Sequence, residues 1–133
     1  MRLLGQLTEG EATRAALPTA DERRAFGAVL ADPRQKLVVA ERDGRIIASA
    51  VSVLVPNVTH DGRPYAILEN VVVDAAERGR GVGEALVRHL AEEARQEGCY
   101  KVALTSNKRR AGAHRFYTRI GFIATHEGFR IEF

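Results

Sequence analysis

Residues 68–90, LENVVVDAAERGRGVGEALVRHL, constrain this chain more than any other stretch. An apolar run ends, Arg78, Gly79, Arg80, Gly81 and Gly83 follow within six positions, and an amphipathic pattern starts at once. Val82, Leu86, Leu90 and Ala94 fall on one stripe, Glu84, Arg88, Glu92 and Arg95 lie off it, and Gly98 is a stop. That spacing predicts a helix over 82–97. YAILENVVV (65–73) is β-rich and apolar at successive positions towards its end, which predicts a strand buried on both faces there. A strand therefore hands over to a helix through a glycine–arginine turn. A helix N-terminus carries unpaired N–H groups and about half a positive charge. Glycines let an anion approach that backbone without a Cβ in the way, and arginines add bidentate donors. Residues 78–84 thus read as a phosphate site. A P-loop is excluded because no Lys-Ser/Thr follows Gly83. A dinucleotide fingerprint is excluded because the glycines alternate and residue 84 is Glu.

The rest of the chain frames this unit. Residues 2–9 are expected to be a short helix. PTADERRAFGAVLADP carries a capping box, Thr19 with Glu22, then Phe26, Val29 and Leu30 on one face, and Pro33 as terminator. KLVVAERDGRIIASAVSVLV reads as a hairpin turning at Asp43-Gly44. Residues 56–64 are a polar loop with an Asp61-Gly62 turn. CYKVALT (99–105) predicts a strand, 110–119 a second helix stopped by Gly121, and FIATH and GFRIEF two closing strands. The order predicts an α/β fold: a mixed, mostly antiparallel central sheet flanked by helices. No repeat or composition shift marks a boundary, so 1–133 is read as a single domain.

VVVDAAERGRGVGEAL resembles the central motif of the GCN5-related N-acetyltransferase (GNAT) superfamily, [RQ]-x-x-G-x-G/A after a buried strand, with Arg78, Gly81 and Gly83 at its defining positions. SNKRRAGAHRFYTRIGF (106–122) resembles the closing motif of the same superfamily through Asn107, Ala113, Phe116, Tyr117, Gly121 and Phe122. The resemblance spans 67–122. It implies the acyl-CoA N-acyltransferase fold and acetyl-CoA as co-substrate. It also implies that Val71, Val72 and Val73 line the pantetheine arm and acetyl group. The diphosphate would be held by Arg78, Gly79, Arg80, Gly81, Val82, Gly83 and Glu84. The superfamily opens with a strand that runs into its first helix, whereas this chain is expected to start inside that helix, at MRLLGQLTE. The strand is either absent or missed by a late start; its loss would leave a sheet edge uncovered and favour a homodimer.

The implied reaction is direct attack of an amine on a thioester in a ternary complex. Tyr117 matches the superfamily tyrosine beside the sulfur and is the candidate acid. A phenol near its reference pKa of about 10 is protonated at neutral pH, whereas a departing thiolate, of conjugate-acid pKa about 8.5, needs a proton. Glu69 is the candidate base, the one carboxylate in an apolar strand, where burial would raise its pKa; a surface carboxylate on the strand's solvent face is the equal alternative. Backbone N–H groups of Val71, Val72 and Val73 are candidates for polarising the acetyl carbonyl. Asn107 resembles the superfamily residue that bonds the pantetheine arm or steadies the motif; a loop or N-cap role fits it equally. Lys108, Arg109 and Arg110 read first as a solvated charge run. His114 reads as structural. His60 is a weak candidate for the acceptor pocket. Cys99 reads as a small buried residue, since no activating base is visible.

AHRFYTRIGF with SNKRR resembles aminoalkylphosphonate N-acetyltransferases, and LENVVVDAAERGRG with GCYKV resembles glucosamine-6-phosphate N-acetyltransferases. In the second group carboxylates stand where this chain has Asn70 and Thr105. The acceptor is therefore expected to be the primary amine of a small molecule, with an anionic one fitting the basic loops. Protein or peptide N-acetylation and a non-catalytic acetyl-CoA-binding module are the alternatives. A nucleic-acid binder would want aromatic residues beside its basic ones, and RGRG has none. Cys99 is the single cysteine, no Cys/His cluster has metal spacing, and no run approaches a membrane span. The start lacks the features of a secretion signal. These readings predict a cytoplasmic protein with neither metal nor membrane partner. The net charge of +3 is too small for a broad polyanion-binding face.

Overall fold

A computed structural model describes Leu3 and residues 17–133. The element order is α1 (Ala20–Ala31), β1 (Gln35–Arg42), β2 (Arg45–Val55), β3 (Tyr65–Val73), a 3-10 turn (Ala75–Glu77), α2 (Val82–Gln96), β4 (Val102–Ala103) and α3 (Ala111–Arg119). The expected helix at 2–9 and the absence of an opening strand both fall outside the described residues. The chain divides into two compact units, Met1–Ala103 and Leu104–Phe133.

In the first unit the strands form one sheet in the order β1-β2-β3-β4. The first two pairings are antiparallel and β3 pairs parallel with β4. The Asp43-Gly44 hairpin forms as expected, with φ of 52° and 72°. Both central residues are left-handed, as the twist of a two-residue hairpin requires. Residues 47–52 of β2 are buried at successive positions, so both faces of that strand are covered. Helix α2 packs across β1, β2 and β3. It buries Leu86, Val87, Leu90 and Ala94. The expected stripe omitted Val87, and Val82 is only half-buried. Leu90 is fully buried, and each such side chain contributes roughly 2 kcal/mol by leaving water.

Helix α2 ends in a Schellman motif. The Gly98 N–H donates to Arg95 O (3.1 Å) and the Cys99 N–H to Ala94 O (3.0 Å). Gly98 takes the left-handed φ of 82° that such a stop needs. Cys99 then buries its side chain in a cluster with Ala66 and Ala94. At α1 the capping box is present: Glu22 N–H donates to Thr19 Oγ1 (3.1 Å) and Thr19 N–H to Glu22 Oε2 (2.7 Å).

Three expectations are corrected. Phe26 and Leu30 of α1 are exposed and only Val29 is half-buried, because the helix meets the described protein chiefly along β1. The strand expected at 99–105 shrinks to Val102–Ala103, since β3 offers it only Ala66 and Ile67 as partners. Residues 122–133 form no strand; alternating side chains do not make one without a ladder partner.

Candidate active site

The end of β3 carries a β-bulge. Ser49 pairs with Val72 and Val51 with Glu69, so Ala50 alone opposes both Asn70 and Val71. Asn70 takes a φ of 53°, and Asn is among the few non-glycine residues that enter this region readily. Beyond Ile67, β3 has no ladder partner on its β4 side among the described residues. A bulge beside an open edge re-aims backbone groups and leaves them accessible. Here those groups belong to Val71, Val72 and Val73. The expected burial of this end on both faces is corrected: Val72 is buried, while Val71 and Val73 are half-exposed because the edge is open. Glu69 is corrected too. It precedes the bulge, and its side chain lies exposed, so burial is not what would fit it to act as a base.

The turn that follows is tied down at its start and open at its end. The carboxylate of Asp74, itself only 4% exposed, accepts from the Ala76 N–H at Oδ1 (3.1 Å) and from Arg45 Nη2 at Oδ2 (2.7 Å). The Asp74 N–H donates to Ile47 O (2.8 Å). Glu77 pairs with Arg42 and, at 3.5 Å, with Arg80. Arg78 Nε donates to Val73 O (3.2 Å). Gly79 and Gly81 then adopt φ of 76° and 80°, and Gly81 is the N-cap of α2. Having no side chain, it supplies no cap hydrogen bond. A Cβ built on Gly79 or Gly81 would meet nothing within 4 Å, so the space above the turn is open. Bare amides at the head of a fifteen-residue helix, flanked by exposed Arg78 and Arg80, can receive an anion. Glu84 lies on the first turn of α2 and pairs with Arg88 (2.9 Å).

In the second unit, the spacing of the closing motif has a physical reason. Helix α3 also ends in a Schellman motif: Gly121 N–H donates to Thr118 O (3.1 Å) and Phe122 N–H to Tyr117 O (2.9 Å). Gly121 is left-handed at φ 106°. The apolar contact that accompanies this stop is Phe122 against Tyr117, edge to face at 5.6 Å. Phe116 meets the same tyrosine at 5.1 Å. The Tyr117 ring is thereby fixed, and burial pushes its phenol pKa above 10.0 despite the opposing charge of Arg110. Asn107 is exposed; its Oδ1 accepts from the Arg109 N–H (2.9 Å), and its own carbonyl accepts from the Arg110 N–H (2.9 Å). It steadies the turn into α3. Lys108 and Arg109 are exposed, and Lys108 pairs with Glu127 (3.8 Å).

Other candidates fall away from this chemistry. His60 stacks on Tyr100 (3.9 Å). Its loop is held to the end of α2 by Arg63, which donates to the carbonyls of Gly98 and Cys99 (3.2 Å each). That places His60 beside the start of β3, whereas the bulge lies at the far end, roughly 16 Å along the strand at ~3.3 Å per residue. Cys99 is buried, which raises its thiol pKa and keeps it from being a nucleophile. His114 is exposed on α3. Sequence reading did not single out Asn70 as a backbone feature, nor Arg42, Arg45, Asp74 and Glu77. Only Asn70 carried a local signal, a left-handed-tolerant residue inside a β-rich run.

A bulged strand with an open edge, leading through a glycine turn to a helix head, defines an acyltransferase architecture. Comparison with known proteins agrees. Residues 6–122 match the model of the Acetyltransferase (GNAT) family. The chain is 37% identical to a Trypanosoma brucei brucei glucosamine 6-phosphate N-acetyltransferase, over 99% of this chain and 86% of that protein. It is 33% identical to the aminoalkylphosphonate N-acetyltransferase of Salmonella typhimurium, over 78% of this chain and 67% of that protein. A crystal structure of a Bacillus halodurans transcriptional regulator superposes with a TM-score of 0.90 at 34% identity, covering 98% of this chain and 89% of that one. The chain belongs to the GNAT family of N-acetyltransferases.

Proposed function

We propose that this protein transfers an acetyl group from acetyl-CoA to the primary amine of a small molecule carrying a phosphorus anion, all 133 residues acting as one catalytic domain. The carrying observation is the pairing of two features on one stretch of chain: the bulge at Asn70 and Val71, and the open glycine turn at the head of α2. The pantetheine arm would lie along the free edge of β3 at Val71, Val72 and Val73. The diphosphate would rest on the amides of Gly79, Gly81, Val82 and Gly83, with Arg78, Arg80 and the first turn at Glu84 around it. Support for the acceptor class comes from the two enzymes above, whose named substrates both pair an amine with a phosphate or phosphonate.

In the proposed reaction the neutral amine nitrogen attacks the thioester carbonyl directly. Negative charge develops on the carbonyl oxygen, where N–H groups at the bulge would stabilise it. The C–S bond breaks, and Tyr117 gives the thiolate its proton. Its raised pKa keeps the phenol protonated at neutral pH. The attacking nitrogen's surplus proton leaves to Glu69, directly or through water. Glu69 is accessible to a water chain because it is exposed. Asn107 contributes by holding the turn ahead of α3.

No described helix is long and apolar enough to cross a membrane, and a cytoplasmic location belongs to the same proposal. So does a homodimer, since β1 is an edge strand of the described sheet; light scattering on the purified protein checks it, a monomer mass rejecting that part alone. The deciding experiment is release of free thiol from acetyl-CoA across a panel of amines. Glucosamine 6-phosphate and aminoalkylphosphonates are expected to give turnover well above glucosamine and above peptides with free N-termini. Preference for peptides would overturn the acceptor class, and no turnover with any amine would leave coenzyme binding without chemistry.

A further inference from the structure

Asp74 is a buried carboxylate that no step of the proposed reaction uses, and it sits where the strand meets the turn. Its Oδ1 caps the 3-10 turn at the Ala76 N–H, its Oδ2 takes the Arg45 guanidinium, and its N–H is bonded to Ile47 O. One residue thus joins the turn end of the β1–β2 hairpin to the first bend after β3. Arg45 is 29 positions away in sequence. Arg42, across the turn from Arg45, reaches Glu77 at the end of the same 3-10 turn. After Arg78, by contrast, left-handed Gly79 and Gly81 on either side of Arg80 leave the backbone with many alternatives. Downstream, α2 fixes Gly81 to Gly83 by its own hydrogen bonds and packing; upstream, the contacts of Asp74 and Glu77 fix the entry to the turn, and Asp74 is the buried pin.

We propose that Asp74, braced by Arg45, is a positioning residue for the coenzyme's diphosphate: it presets the glycine turn so that the amides at the head of α2 converge on the anion. The inference rests on the acetyl-CoA reading above. It carries a sign that separates it from simple electrostatics. A carboxylate close to a diphosphate repels it, so removing its charge should, by Coulomb's law alone, tighten coenzyme binding. Loss of preorganisation does the reverse, because the turn must then be ordered at the moment of binding.

The test is calorimetric titration of coenzyme A into the parent, Asp74→Asn, Asp74→Ala, Arg45→Gln and the double variant Asp74→Asn/Arg45→Gln. Titrations are run at a temperature where near-UV circular dichroism matches the parent. Asp74→Asn keeps an acceptor for the Ala76 N–H but sets an amide N–H₂ group or a neutral oxygen against Arg45. It is expected to weaken binding about tenfold, and Asp74→Ala more. In the double variant an amide–amide hydrogen bond replaces the ion pair without charge, and it is expected to recover most of the affinity. Affinity in Asp74→Asn equal to or tighter than the parent's overturns the proposal. So does a double variant no better than the worse single one, for then the Asp74–Arg45 link does not position the turn. If Asp74→Ala fails to fold, the Asn variant and the double variant still decide. A parent that does not bind coenzyme A at all is a different result: it removes the acetyl-CoA reading itself.

Discussion

Gly81 and Gly98 cap the two ends of the same helix with nearly the same backbone, φ 80° and 82°, and a Cβ built on either meets nothing within 4 Å. Valine at either position therefore costs backbone strain rather than a clash, about 2 kcal/mol for a side chain held in the left-handed region. For a chain of this size that corresponds to a fall in Tm of about 8 °C. The two substitutions should be thermally equivalent and functionally opposite. At Gly81 the new side chain would stand over the amides that receive the diphosphate. Losing two charge-assisted N–H bonds at about 1.5 kcal/mol each weakens coenzyme A by about a hundredfold. At Gly98, beyond the far end of α2, affinity should stay within twofold of the parent. Calorimetry of the coenzyme and differential scanning of the apo protein read both quantities. If Gly81→Val and Gly98→Val lose affinity in equal measure, the effect is one of stability. If Gly81→Val binds as the parent does, the turn is not the phosphate site.

Tyr117→Phe should lower turnover by about two orders of magnitude while leaving coenzyme affinity unchanged, since a general acid contributes at that scale; equal turnover rejects the acid role. Because burial raises the Tyr117 pKa, its folded form holds a proton that the unfolded chain has already lost just above pH 10.0. The contribution of Tyr117 to stability should therefore be level up to about that pH and fall as pH rises towards the folded pKa; urea titrations at rising pH should show the fall above pH 10.0 shrunken in Tyr117→Phe, and an identical fall would contradict the burial. Glu69→Gln should flatten the acid limb of the pH–rate profile, and an unaltered limb assigns the proton to another base or to water alone. Leu90→Ala, emptying the most buried position of α2, should cost about 3 kcal/mol in urea unfolding, and a loss under 1 kcal/mol would mean that α2 is not packed as described.

What sequence showed of this site is what local chemistry dictates. Gly79, Gly81, Gly98 and Gly121 sit where helices start or stop, and each takes a left-handed φ. A turn signal is local, so it survives ignorance of the fold. The spacing from Tyr117 to Phe122 is likewise one helix stop with its apolar contact. The bulge was hidden because it is a register difference between β2 and β3, visible only once Ala50 is found opposite two residues. Arg45 and Asp74 were hidden because they meet across the β2–β3 pairing, 29 positions apart in sequence. Of the two readings of Glu69, a buried base or a carboxylate on the strand's solvent face, the structure has the exposed one, and a count of apolar residues in 65–73 does not choose between them. Strands were over-read at 99–105 and 122–133 for a related reason: a ladder needs a partner of matching length, and alternation alone does not provide one.

Amide chemical-shift mapping of the ¹⁵N-labelled protein with and without acetyl-CoA tests the central claim most directly. The account predicts that the largest shifts fall on the N–H groups of Gly79, Gly81, Val82 and Gly83, with a second set at Val71, Val72 and Val73. Saturating shifts elsewhere with those residues unmoved, or no shifts at all, would contradict it.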